Sequence, residues 1–167
     1  IMSASDAMAL PQSKPDHLLA YGEGPLQFGE LRLPEGEGPH PVVIVIHGGC
    51  WLAEYDLGYI SGLASALTEA GLATWSVEYR RVGDDGGGWP GTFQDVADSA
   101  DFLFEIAADH KLDLDRVATV GHSAGGHLAL WVALHDDAAN ADSEDPVERE
   151  SSRVACAVSF AGPTDWS

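Results

Sequence analysis

Two short stretches carry residue types that could do chemistry. The first is Gly121-His122-Ser123-Ala124-Gly125, a serine with a glycine two positions to either side. It follows the apolar run Arg116 to Gly121 and opens a run, Ala124 to His135, that suits a helix. A serine held on a sharp strand-to-helix turn has its hydroxyl lifted clear of the sheet, where a base can take its proton. Such a turn closes only if the residues two before and two after lack bulk, as Gly121 and Gly125 do. The helix start brings partial positive charge to the site, and the Ala124 amide is placed to donate to an oxyanion. His127, one helical turn past Ser123, reads as structural.

The second stretch is His47-Gly48-Gly49-Cys50-Trp51, directly after the β-branched run Val42 to His47. A tetrahedral acyl intermediate needs backbone or side-chain donors aimed at its oxygen. Glycines let backbone amides turn inward without obstruction. The donors assigned here are the amides of Gly49, Cys50 and Ala124. Cys50 takes part through its backbone, and its thiol is not read as a nucleophile. His47 and Gly48 support the loop, His47 through hydrogen bonds. Trp51 either walls a pocket or packs. Glu78, Tyr79 and Arg80 end a strand and read as a structural ion pair. Trp89 and Pro90 either line the pocket or start a helix.

The elements that must position these stretches can be read from patterning. Leu26 to Leu33 reads as a strand, with a bulge at Gly29 where the alternation fails. Val42 to His47 has the unbroken apolar character of a strand buried on both faces, as in a parallel sheet. Tyr59 to Ala70 has helical spacing, with Gly71 where a C-terminal cap belongs. Leu72 to Val77 is a strand. Thr92 to His110 is a helix with the stripe Phe93, Val96, Ala97, Ala100, Leu103, Phe104 and Ala107. Thr92 is its expected N-cap, with Asp95 close to a capping box. Arg116 to Gly121 and Val154 to Phe160 complete the strands. Between the last helix and strand, Asp136 to Ser152 is acid-rich and reads as a solvated loop. Strand and helix alternate, so the fold class is α/β, a mostly parallel sheet flanked by helices.

The sequence resembles the α/β-hydrolase superfamily over about residues 25 to 165, and most closely its esterase and lipase-like members. The matching motifs are HGGCW (47–51), LDLDRVATVG (112–121) and GHSAGGHLAL (121–130). Arylformamidases also carry HGGxW and are similar by this criterion. The resemblance implies an acyl-enzyme on Ser123, a backbone oxyanion hole and no cofactor; no metal site is expected, because the histidines and acids do not cluster at ligand spacings. It also implies a triad in the order serine, acid, histidine. No histidine lies beyond His135, and the chain stops just after its last candidate strand. The expectation is therefore an N-terminal piece of a longer hydrolase, inactive alone, with the C-terminal strands missing. Asp165, in AGPTDW, is a weak candidate for the triad acid and reads more simply as a turn residue.

The formal charge of −19 argues against a nucleic-acid partner, which would need a basic face. Two cysteines make neither a disulfide framework nor a zinc cage. No apolar run is long enough to span a membrane. Residues 1–17 read as a loose leader without signal-peptide character, and residues 18–167 as part of one hydrolase domain. A cytoplasmic location is the default expectation. The expected substrate is a small-molecule ester. An aryl formamide or a peptide stays open as an alternative, as does a non-catalytic binding protein of the same fold.

Overall fold

A computed structural model describes residues 11–138 and 154–163. The chain order is β1 (His17–Ala20), β2 (Phe28–Arg32), β3 (His40–Ile46), a 3-10 turn (Leu57–Ile60), α1 (Ser61–Glu69), β4 (Ala73–Val77), α2 (Gly91–His110), β5 (Leu112–His122), α3 (Ala124–Ala138) and β6 (Val154–Phe160). One sheet runs β1-β2-β4-β3-β5-β6. β1 and β2 are antiparallel to their neighbours, while β4, β3, β5 and β6 run parallel.

β3 shows why its run is unbroken. Val42, Ile44 and Ile46 face one core, with Trp75, Val77, Val96, Leu103 and Leu128. Val43 and Val45 face the other, with Ile60, Ala64 and Val120. Helix α1 therefore covers one side of the sheet, and α2 and α3 cover the other. A strand with helices on both faces has no polar side to alternate with. Each fully buried Ile or Val here contributes roughly 1.5–3 kcal/mol relative to exposure.

Several local expectations change. β2 has no bulge at Gly29, which pairs regularly with Val77. A Cβ there would lie 2.5 Å from the indole of Trp75. The glycine makes room for that ring, and Trp75 is fully buried with its Nε1–H donating to Ser99 O at 3.0 Å. Thr92 is not the N-cap of α2; Pro90 is. Thr92 Oγ1 turns inward instead, accepting from Gly88 N and donating to Arg80 O. Asp95 likewise serves Arg80 rather than the helix start. Phe104 is 47% exposed, and Ile106 takes its place in the core. The segment read as a leader is tied down from Ser13, which hydrogen-bonds Ser65, and Asp16, which accepts from Leu33 N. β1 itself, opening at His17, was not expected. The acid-rich stretch begins inside α3, and from residue 139 to 153 it lies outside the described residues.

Candidate active site

The parallel strands β3, β4 and β5 end side by side, at Ile46, Val77 and His122. The carboxyl edge of a parallel sheet is where α/β folds gather functional loops. Both chemistry-bearing stretches leave the sheet there, together with Glu78 and Tyr79 after β4.

Ser123 sits between β5 and α3 with φ of 54°, a left-handed conformation that costs a non-glycine residue energy. Its amide donates to Phe160 O at 2.8 Å, and its carbonyl accepts from His127 N at 3.1 Å. The two elbow glycines are needed for close approach. A Cβ on Gly121 would lie 2.1 Å from Gly125 O, and one on Gly125 would lie 2.2 Å from Ile46 O. The turn therefore presses against the end of β3. Among the described residues, Ser123 Oγ hydrogen-bonds no histidine.

The 47–51 stretch lies against this elbow. A Cβ on Gly48 would lie 2.4 Å from His122 O and 3.3 Å from Ser123 Cβ. Gly49, Cys50 and Trp51 all have positive φ, at 114°, 53° and 58°. Among the described residues, the amides of Gly49 and Cys50 donate to no protein group, whereas Leu52 N, two residues past Cys50, bonds back to Gly49 O at 2.9 Å. The Cys50 side chain is exposed.

His47 is fully buried beneath the loop. Its Nδ1 meets Gly48 O at 2.8 Å and its Nε2 meets Glu78 Oε1 at 3.2 Å. Its ring stacks on Tyr79 at 4.3 Å. Burial, reinforced by the Glu78 charge, pushes the Tyr79 hydroxyl well above its usual range, so it stays protonated and donates to His47 O at 2.8 Å. Trp51 packs against the core, edge-on to His127 at 5.5 Å, so packing and a pocket wall are both open to it. Burial lowers the pKa of His127. His122, within the elbow, meets the Tyr59 hydroxyl at 2.9 Å.

Tyr59 and Tyr55, which no motif in the sequence marks, thus border the site. Tyr55 packs on Gly49, where a Cβ would lie 2.4 Å from its own. Nothing in the sequence marked either tyrosine except its place after the HGG turn. Glu78 and Arg80 do not pair with each other as expected: Arg80 pairs with Asp95, and Glu78 with Arg81. Pro90 starts α2 by accepting from Phe93 N and Gln94 N, and Trp89 is 61% exposed beside Phe93. Asp165 lies outside the described residues. Among the described residues no cluster of His, Cys, Asp and Glu is set to hold a metal, and no helix is long and apolar enough to cross a membrane.

Comparison with known proteins agrees with this geometry. The BD-FAE family model matches residues 30–167. A probable isoprenylcysteine alpha-carbonyl methylesterase of Arabidopsis thaliana is 27% identical over 86% of this chain and 30% of its own length. The probable carboxylic ester hydrolase LipM of Mycobacterium tuberculosis is 30% identical over 78% of this chain and 29% of its own. An inhibited esterase B from Lactobacillus rhamnosis superposes with a TM-score of 0.79 and 27% identity, over 95% of this chain and 53% of that one. The chain thus spans about a third of the length of these curated relatives. A parallel sheet carrying a strained serine after β5 and an HGG turn after β3, matched along most of its length by one family model, makes the chain a member of the BD-FAE family, with the α/β-hydrolase fold.

Proposed function

We propose that the protein hydrolyses carboxylic esters of small molecules through an acyl-enzyme on Ser123. The observation that carries this reading is the contact of Gly48 with His122 O and Ser123 Cβ. It supports a reading in which the amides of Gly49 and Cys50, which donate to no protein group among the described residues, serve an intermediate formed on the serine. In the proposed reaction a histidine base, not one that the described contacts of Ser123 supply, takes the Ser123 proton as Oγ attacks the acyl carbon. The amides of Gly49, Cys50 and Ala124 hold the oxyanion. The C–O bond to the alcohol breaks as the histidine returns the proton, and water then frees the acid. No cofactor enters. The names of the relatives, esterases and an ester hydrolase, favour esters over formamides or peptides.

The test is labelling of the full-length protein with a fluorophosphonate, which traps an activated serine. The expected result is one adduct on Ser123, absent from Ser123→Ala. A folded full-length protein that takes no label would support a non-catalytic relative instead. A panel of short-chain and long-chain esters, N-formyl arylamines and peptides then fixes the substrate class. Turnover confined to the formyl compounds would replace esterase by arylformamidase.

A further inference from the structure

We infer that Glu78 is a positioning residue for this reaction: it holds the oxyanion loop in its strained shape and aims the Gly49 amide. The inference rests on the hydrolytic reading above. Glu78 is 2% exposed and follows β4, remote in sequence from both catalytic stretches. A single carboxylate there holds both ends of the 47–57 loop. Oε1 meets His47 Nε2 at 3.2 Å at the start of the loop. Oε2 accepts from Leu57 N at 3.0 Å at its end. The middle is held by the residues just after Glu78. Val82 N donates to Trp51 O at 2.7 Å, Val82 O accepts from Ala53 N at 3.2 Å, and the Arg81 guanidinium donates to Tyr55 O. Residues 78–82 thus form a floor under the whole turn.

The link from Glu78 to the site runs through one peptide plane. A trans peptide is planar, so the Gly48 carbonyl and the Gly49 N–H point in opposite directions. His47 Nδ1 anchors that carbonyl at 2.8 Å. The ring can anchor it only while its own orientation is held, by Glu78 on Nε2 and by Tyr79 stacked on its face. Both ring nitrogens lie within hydrogen-bond distance of oxygens, Gly48 O on one side and Glu78 Oε1 on the other, so the ring is pinned at two points. Three consecutive residues with positive φ do not keep that geometry unaided, because strained backbone persists only where its surroundings over-determine it. The Arg81 guanidinium at 3.2 Å and the Tyr79 amide at 3.2 Å complete the partners of this buried carboxyl group.

The experiment uses the full-length protein with a p-nitrophenyl ester, with rates expressed per titrated active site so that unfolded molecules do not count. Glu78→Gln keeps one acceptor and removes the charge. Glu78→Ala removes both. The expected result is a fall in kcat of about tenfold for Gln and about a hundredfold for Ala, the scale of losing one oxyanion donor, with KM within threefold of wild type. Phosphonate labelling of Ser123 should slow in step, because the adduct uses the same donors. The inference is overturned by any of three results: kcat within twofold of wild type in both variants, a loss confined to KM, or Gln no better than Ala. If Glu78→Ala does not fold, Glu78→Gln alone decides, by a tenfold fall in kcat against none. Wild-type protein that neither labels nor turns over esters would instead remove the hydrolytic reading, which separates the two failures.

Discussion

Replacing Gly48 by Ala puts one methyl group into the contact between the 47–51 loop, the proposed oxyanion loop, and the serine turn. Gly48 has no positive φ, so alanine is compatible with its backbone and the effect is purely steric. The added Cβ would lie 2.4 Å from His122 O, a backbone atom that cannot rotate away. Loop and elbow must therefore separate by about 0.6 Å to reach the 3.0 Å that real Cβ atoms respect. That exceeds the roughly 0.5 Å tolerance of a productive catalytic constellation. With about a hundredfold loss per ångström of misplacement, kcat should fall between about tenfold and a hundredfold. Overpacking should cost a further ~1–3 kcal/mol of stability. At about 2–4 °C per kcal/mol for a domain of 150–250 residues, Tm should fall by a few degrees to about ten. The assay is ester turnover by the full-length variant at 25 °C, beside its circular-dichroism melt. A Gly48→Ala protein that melts lower yet keeps kcat within twofold would refute the argument, because the contact would then be structural only.

Two further outcomes follow from groups outside that contact. Asp95 is fully buried and accepts from Arg80 N, Nε and Nη2 and from Gln27 Nε2. Asp95→Ala should cost about 2 kcal/mol by chemical denaturation, less than the ~3–5 kcal/mol of a fully buried pair because Arg80 stays partly solvated. An unchanged midpoint would show that solvent replaces those bonds freely. Burial lowers the pKa of His127 below its ordinary value, so the unfolded chain binds a proton more readily than the folded one. The stability that the neutral ring supports is complete above about pH 6.5 and is lost as pH falls from there toward the lowered folded value. His127→Gln should therefore flatten the fall in Tm between about pH 7 and pH 5 relative to wild type. Parallel curves for the two proteins would show that His127 does not titrate differently on folding.

What could be read along the chain was whatever depends on local spacing. The glycines around Ser123 announce a tight turn because bulk two residues away is forbidden whatever the rest of the fold does, and Gly121 and Gly125 do abut Gly125 O and Ile46 O. The run Val42 to His47 announces a strand with both faces covered, and β3 has both faces covered. Errors fell where a residue answers to a distant partner. Gly29 looked like a bulge because local alternation fails there, but its lack of a side chain answers to Trp75 on the neighbouring strand. Thr92 and Asp95 looked like a cap because capping is the local use of those residue types. Arg80, twelve and fifteen positions earlier, claims both.

Short-range spacing was enough to show that the chain alternates strands and helices, that one serine sits on a glycine-flanked turn, and that a glycine pair follows the first buried strand. Those features are set by steric rules acting over a few residues. The adjacency of β3 and β5, parallel and hydrogen-bonded, emerges from the folded sheet, and it brings Gly48 against Ser123 across more than seventy intervening residues. The folded sheet also decides that Glu78, at the end of β4, reaches His47 and Leu57 together. The physical reason is the same in both cases. Strand order follows from which faces the helices cover and bury, a property of the whole sheet, and the contacts at its carboxyl edge follow from that order.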